Sequence, residues 1–292
     1  ANIDFEGKEA MYGEVYFLRA YYYFELVKFF GDVPLFTEAR LTAGQAGTLT
    51  RTPKDEVYAQ IELDLQNAIA SLPNSQSQVG RVNKYTAYAL LGKVLLYQDK
   101  FAEAASALDN VIGVYSLVSD YGSQFLRFGE NGPESVFEIQ YSNQSNWYDW
   151  GCAHCSEGNY AIIMNGPRGW SGPEYAQGWS FNVPTEEFYN SFEEGDSRRD
   201  ATVLDIEAFA AATGASYTEG YDHTGYFNNK YIPRAGESGG QTELNYLTNF
   251  RIIRYSDVLL MAAEAYNRGG IDDGLAQEFL NQVRRRAFGG DD

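Results

Sequence analysis

Two apolar stripes run along residues 9–30, and both follow helical spacing. The first stripe consists of Met11, Val15, Leu18, Tyr22, Leu26 and Phe29. The second consists of Tyr12, Tyr16, Ala20, Tyr23, Val27 and Phe30. Steps of three and four residues place each stripe on one face of an α-helix. Two such stripes predict a helix that is buried on two sides, as within a stack of helices.

The same spacing predicts further helices that pair along the chain. We expect the helix at 9–30 to pair with 53–72, 83–98 with 101–113, and 251–268 with 274–287. Gly92 stands twelve residues before Ala104, with Leu108 four further on, which is typical of the close helix contacts in tetratricopeptide repeats. Spacing alone also leaves open a generic helical bundle.

The stretch 116–249 has a different character. It is rich in Gly, Ser, Asn and aromatic residues, with short alternating pieces such as 136–141. Such pieces favour short strands and long loops, and long loops on a rigid frame commonly carry binding sites. We therefore predict one discontinuous domain over 1–292, with a helical repeat frame at 1–115 and 250–292 and a loop-rich, ligand-binding excursion at 116–249.

Three parts of the chain carry recognisable motifs. Residues 251–266 read RIIRYSDVLLMAAEAY and are followed by NQVRRRA at 281–287. Residues 19–35 read RAYYYFELVKFFGDVPL, and the mid-chain segment VPTEEF begins at Val183 and is followed by Phe192 and GDSR at 195–198. In this order the three motifs resemble those of the SusD/RagB family, the surface nutrient-binding lipoproteins that partner TonB-dependent transporters in Bacteroidetes.

The resemblance implies a mainly α fold of tetratricopeptide-like repeats with a loop-rich excursion containing short strands. It implies a non-catalytic protein that captures oligosaccharide or polysaccharide and delivers it to a SusC-like TonB-dependent transporter. It also implies an outward-facing position on the outer membrane, with the helical repeats towards the transporter and the loops towards the ligand. Peptide capture of the RagB type and a protein-binding helical scaffold are the alternatives, and a glycoside hydrolase is a further class.

All four tryptophans lie in the excursion, and polar residues surround two of them. The segment 140–150 reads QYSNQSNWYDW. Aromatic rings cover the C–H face of a sugar, while amides and carboxylates bond to its hydroxyl rim. We predict a ligand site built from Trp147, Trp150, Tyr148, Asn143, Asn146, Asp149, Trp170 and Tyr175. Large aromatics are also common core residues, and we expect Trp179 to be structural.

No motif predicts catalysis, a cofactor or a metal. Cys152 and Cys155 enclose one His, which falls short of the usual four zinc ligands, so we expect a disulfide between them or free thiols. Such a disulfide would stiffen the loop beside Trp150. Carboxylates near the tryptophans, among them Glu157 and Glu174, leave a glycosidase pair open, since sequence does not give their separation.

The charge balance narrows the range of partners. Lys+Arg 22 against Asp+Glu 40 gives a net charge of −18, which disfavours nucleic acid and anionic lipid. No apolar run approaches the roughly 20 residues of a membrane span. We expect a partial chain whose lipid anchor, a cysteine upstream of this sequence, makes its only membrane contact.

Overall fold

The computed structural model describes residues 3–38, 40–144, 150–239 and 244–290. Within these ranges the protein is mainly α-helical with a few short strands, which confirms the predicted fold class. It divides into two compact units. The first contains the described residues of 1–115 and 255–280, and the second those of 116–254 and 281–292.

The first unit is helical. Its helices are α1 (Lys8–Phe30), α2 (Ala43–Ala46), α3 (Lys54–Ser71), α4 (Lys84–Leu96), α5 (Phe101–Asp109), α10 (Tyr255–Arg268) and the first half of α11 (Asp273–Ala287). Helix α1 packs on α3, α4 packs on α3 and α5, and α10 packs on α5 and α4. The third predicted pair is therefore joined to the others.

The buried face of α1 differs from the prediction. Its buried residues are Gly13, Phe17, Ala20, Phe24 and Val27, and the whole first stripe, from Met11 to Phe29, is exposed. The prediction of burial on two sides was therefore wrong for this chain. Phe17 and Phe24, two turns apart, supply most of the packing face. Gly13 lets Leu72, at the end of α3, approach closely, because a Cβ there would lie 2.9 Å from Leu72 Cγ.

Close contact between α4 and α5 occurs where the glycine spacing predicts it. A Cβ on Gly92 would lie 2.5 Å from Leu108 Cγ, so only glycine lets the two helices meet here. Ala104 and Leu108 are fully buried at this contact. The Tyr266 hydroxyl on α10 donates to Asp109 at 2.8 Å, which fixes α10 against the end of α5.

Residues 251–254 form a strand, not the first turn of a helix. Strand β6 (Phe250–Arg254) pairs antiparallel with β1 (Ser135–Ile139), and the helix begins only at Tyr255. Burial alternates along β6, with Arg251 and Ile253 inside, which is the period of a strand. The adjacent β-branched pair Ile252-Ile253 favours this conformation.

The second unit is built from short elements. They are β1, α6 (Ala161–Met164), β2 (Arg168–Ser171), α7 (Glu186–Asn190), α8 (Arg198–Thr202), β3 (Val203–Asp205), α9 (Ile206–Thr213), β4 (Ser216–Thr218), β5 (Tyr226–Asn228), β6 and the end of α11. Its described strands form three two-stranded antiparallel sheets, β1 with β6, β2 with β4 and β3 with β5. Two apolar clusters, one around Phe227 and one around Ile163, hold the connecting loops.

Candidate functional site

The structure describes only half of the predicted ligand residues. Asn146, Trp147, Tyr148 and Asp149 lie outside the described residues. The other four, Asn143, Trp150, Trp170 and Tyr175, all lie in the second unit. Their environments differ, and only some of them are accessible to a ligand.

Trp150 stands on the surface beside two further aromatic rings. Its side chain is 48% exposed, and its ring centroid lies 5.4 Å from that of Trp179 with an angle of 31° between the planes. Phe181, 50% exposed, follows at 6.0 Å from Trp179 with an edge-on orientation. We call Trp150, Trp179 and Phe181 the aromatic surface. It offers apolar ring area to solvent, as a sugar face requires.

The backbone beneath Trp179 and Phe181 is held by the chain before β2. Trp179 N–H donates to Ile163 O at 2.9 Å, and Phe181 N–H donates to Met164 O at 2.8 Å. The two segments approach so closely that a Cβ on Gly178 would lie 2.3 Å from Gly166 Cα. Rings mounted on such a paired backbone are positioned before any ligand arrives.

Phe181 also lies between two residues in an uncommon backbone conformation. Ser180 has φ of 57° and Asn182 has φ of 53°, both in the left-handed region. The Ser180 hydroxyl accepts from Arg168 N–H at 3.1 Å, and Arg168 Nε donates to Trp179 O at 2.8 Å. Left-handed non-glycine residues persist where surrounding contacts hold them and often mark functional positions.

The loop that carries Trp150 is fixed at both ends and within. Asn245, fully buried, donates from Nδ2 to Asn143 O at 3.0 Å and accepts at Oδ1 from the Ser156 hydroxyl at 3.2 Å. Cys152 and Cys155 form a disulfide with each other, so the predicted pairing is confirmed. These bonds restrict the segment immediately after Trp150 and lower the entropy it loses on binding.

Asn143 occupies an anchoring position. Its backbone carbonyl bonds to Asn245, and its side-chain Oδ1 accepts from Gln144 Nε2 at 2.8 Å. The Asn143 side chain is half-buried and that of Gln144 is exposed. A role for Asn143 in binding the ligand stays a prediction.

Trp170 and Tyr175 lie in an apolar cluster with Phe209 and Phe227. Tyr175 is 4% exposed and Trp170 half-buried, and their ring centroids are 5.9 Å apart. Burial, followed by the nearby Glu174 carboxylate, raises the pKa of Tyr175 to about 12. In the structure both side chains contribute to the apolar packing of the second unit. Their contribution to binding a ligand stays a prediction.

Sequence reasoning did not select Phe181 and expected Trp179 to be structural. Trp179 does pack on Ile162 and Ile163, yet it also lies beside Trp150. Trp179 lies 29 positions after Trp150 along the chain, so no local pattern joins them. The signal that the sequence did offer is spacing: Trp179 and Phe181 stand at alternate positions of one loop segment. Alternate residues of an extended segment lie on the same side of it.

The two carboxylates that the sequence left open as part of a glycosidase pair have different surroundings. Glu174 is ion-paired with Arg234 at 2.9 Å, and Glu157 is exposed. Within residues 3–38, 40–144, 150–239 and 244–290, no group of three or more His, Cys, Asp or Glu side chains is arranged to hold a metal ion. In the same ranges, no helix has both the length and the apolarity that a membrane span needs.

Family models match most of the chain. The model described as "SusD family" matches residues 133–291, and the model described as "Starch-binding associating with outer membrane" matches residues 2–96. SusD-like protein P2 of Formosa agariphila is 31% identical over 301 residues, covering 98% of this chain and 57% of that protein. The chain thus spans little more than half the length of that relative.

Solved structures give the same result. A laminarin binding SusD-like protein is 38% identical with a TM-score of 0.88, over 98% of this chain and 65% of that one. Surface glycan-binding protein A from Bacteroides thetaiotaomicron, in complex with laminarihexaose, is 31% identical with a TM-score of 0.84, over 94% of this chain and 61% of that one. The predicted family resemblance is confirmed.

Proposed function

The chain belongs to the SusD family. We propose that it is part of a non-catalytic surface protein that captures oligosaccharides. The observation that carries this proposal is the aromatic surface. Trp150 and Phe181 are each about half exposed, and Trp179 lies between them. Because the three rings are contiguous, they form an apolar patch, and such patches mark binding sites more often than single exposed rings do.

The aromatic surface binds a glycan by covering the apolar faces of its sugar rings. The centroids of neighbouring rings are 5.4 and 6.0 Å apart, so the surface extends over more than one ring face. The 31° tilt between Trp150 and Trp179 and the edge-on Phe181 make this surface curved. A curved surface complements a curved glycan chain better than it complements a flat one.

The ligand class that we propose is laminarin or its oligosaccharides. Two structurally similar proteins carry laminarin or laminarihexaose in their descriptions. The net charge of −18 agrees with a neutral ligand, because it repels polyanionic polysaccharides at long range. Starch is the comparison ligand, since it appears in the description of the N-terminal family model.

The location that we propose for the protein is the one described for its family. The N-terminal family model is described as associating with the outer membrane. We place the protein on the outer face of that membrane, held there by a lipid anchor. Its protein partner is a SusC-like TonB-dependent transporter, which receives the captured oligosaccharide.

A binding experiment with a turnover control tests the proposal. Purified protein is titrated calorimetrically with laminarihexaose and run in native gels containing laminarin or starch. We expect saturable binding and retarded migration with laminarin, and no new reducing ends after long incubation. Release of shorter sugars would make the protein an enzyme. Binding to peptides but to neither polysaccharide would favour peptide capture instead.

A further inference from the structure

One arginine beside the aromatic surface is fixed in position while most of its donors are unused. The side chain of Arg168 is exposed, and its Nε donates to Trp179 O at 2.8 Å. A guanidinium group carries five N–H donors, and this bond uses one of them. Neither Nη1 nor Nη2 bonds to a residue that the structure describes. Four N–H donors of Arg168 therefore remain for a ligand at this part of the surface.

Arg168 also has no carboxylate partner among the described residues. Other arginines of the second unit do have one: Arg234 lies 2.9 Å from Glu174, and Arg254 lies 3.1 Å from Glu134. Acidic side chains outnumber basic ones by 40 to 22 in this chain, so carboxylates are plentiful. A salt bridge within the described protein is thus not what occupies the guanidinium group of Arg168.

Three contacts hold Arg168 at the edge of the aromatic surface. Its backbone N–H donates to Ser180 Oγ at 3.1 Å, and its Nε donates to Trp179 O. Its guanidinium carbon lies 5.9 Å from the centroid of the Phe181 ring, within the range of a cation–π contact. A free arginine side chain loses much rotamer entropy when a ligand fixes it. Because Arg168 is already held, a ligand meets donors that are positioned in advance.

The place of this guanidinium group suits the polar edge of a sugar. A sugar unit on Phe181 lies with its C–H face against the ring, and its hydroxyls extend around the edge. The Nη groups of Arg168 only donate, so they need acceptor oxygens, which hydroxyls provide. The planar fork of a guanidinium group bonds to two neighbouring oxygens at once, which a single ammonium group does less well.

We propose that Arg168 binds the hydroxyl oxygens of the sugar unit that lies on Phe181. This inference rests on the proposed capture of laminarin, and it adds a residue that recognises the polar edge of the sugar. The rings of the aromatic surface contact only its apolar face. A carboxylate would also satisfy the guanidinium fork, but the net charge of −18 repels polyanionic chains at long range. The ligand class at Arg168 is therefore a neutral glycan.

Two substitutions at Arg168 test this role by calorimetric titration with laminarihexaose. Arg168→Met keeps an apolar stem and removes every donor, whereas Arg168→Lys keeps the charge and loses the fork. Arg127→Met is the matched control, since Arg127 is also exposed in the second unit and is not part of the aromatic surface. We expect Arg168→Met to raise the Kd at least about tenfold, as the loss of a charge-assisted hydrogen bond does. We expect a smaller rise in Arg168→Lys and none in Arg127→Met.

A purely structural role for Arg168 would give a different result. Ser180→Ala removes the bond to the Arg168 backbone and keeps the guanidinium group, so we expect it to bind laminarihexaose as the unaltered protein does. Near-UV circular dichroism reports the packing of Trp150 against Trp179, and we expect the spectrum of Arg168→Met to be unchanged. A loss of affinity that comes with an altered spectrum would make Arg168 a support for Trp179 and overturn the inference.

The remaining outcomes separate this inference from the proposed function. If the unaltered protein binds laminarihexaose and Arg168→Met binds it equally well, Arg168 has no role and laminarin capture stands. Hyaluronan hexasaccharide serves as the anionic probe. Tighter binding of this probe than of laminarihexaose, lost in Arg168→Met, would assign the guanidinium group to a carboxylate and refute the neutral ligand. An unaltered protein that binds neither sugar would contradict both the inference and the proposed function.

Discussion

Replacing Trp150 by alanine is the most direct test of the aromatic surface. A tryptophan side chain presents up to about 250 Å², so an exposed fraction of 48% leaves roughly 120 Å² for a ligand to cover. At about 25 cal/mol per Å², covering half to all of that area contributes about 1.5–3 kcal/mol. We therefore expect Trp150→Ala to raise the Kd for laminarihexaose about 10- to 150-fold.

The same substitution tests whether Trp150 is a surface or a core residue. Calorimetric titration gives the Kd, and thermal unfolding of the same samples gives the stability. Tyr221→Ala serves as the control for removing an exposed aromatic, and Trp170→Ala for removing a half-buried one. We expect Tyr221→Ala to change neither quantity and Trp170→Ala to lower the melting temperature. An unchanged Kd in Trp150→Ala, with a large fall in melting temperature, would end the aromatic-surface hypothesis.

Three further predictions concern the contacts that support the fold and the site. Gly92→Ala should destabilise the protein by about 1–3 kcal/mol in urea unfolding, because its Cβ meets Leu108, whereas Gly44→Ala, in open space on α2, should not. Because burial raises the folded-state pKa of Tyr175 from 10.0 to about 12, stability should be intact below pH 10 and fall by about 2–3 kcal/mol towards pH 12. Tyr175→Phe should lose that part of the alkaline slope, and an unaltered slope would exclude this residue as its source. The double variant Cys152→Ser, Cys155→Ser should bind laminarihexaose about 3- to 10-fold more weakly, since the loop beside Trp150 then loses more entropy on binding. Equal affinity in both forms would show that the disulfide does not pre-organise the site.

Local periodicity is the reason that most helices were predictable. The apolar spacing of α3, α4 and α5 is encoded within a few residues, and the glycine contact at Gly92 follows from a known repeat spacing. The start of α10 was not predictable in this way, because four residues are too few to separate strand from helix by spacing, and the pairing of 250–254 with β1 decides between them. The choice of buried face on α1 likewise depends on α3, which lies far along the chain.

The type of ligand contact was predictable from the sequence, but the residues that make it were predictable only in part. A run of aromatic and amide residues indicated glycan contact near Trp150, and Trp150 is exposed. The partners Trp179 and Phe181 come from a segment about thirty residues later, which is placed by backbone hydrogen bonds to 163–164. Such non-local pairing leaves no periodic pattern in the sequence, so the sequence indicated Trp150 but not the two partners that the fold places beside it.

The hydrogen bonds of Asn245 have a consequence for how this surface evolves. Asn245 holds Asn143 on one side of the loop and Ser156 on the other, through bonds of 3.0 and 3.2 Å. The chain between these two points therefore begins and ends at fixed positions, whatever its residues are. Because the entropy of closing a loop grows only slowly with its length, insertions there cost little stability. A lineage meeting a new glycan can replace this loop as a unit while the core beneath it remains unchanged.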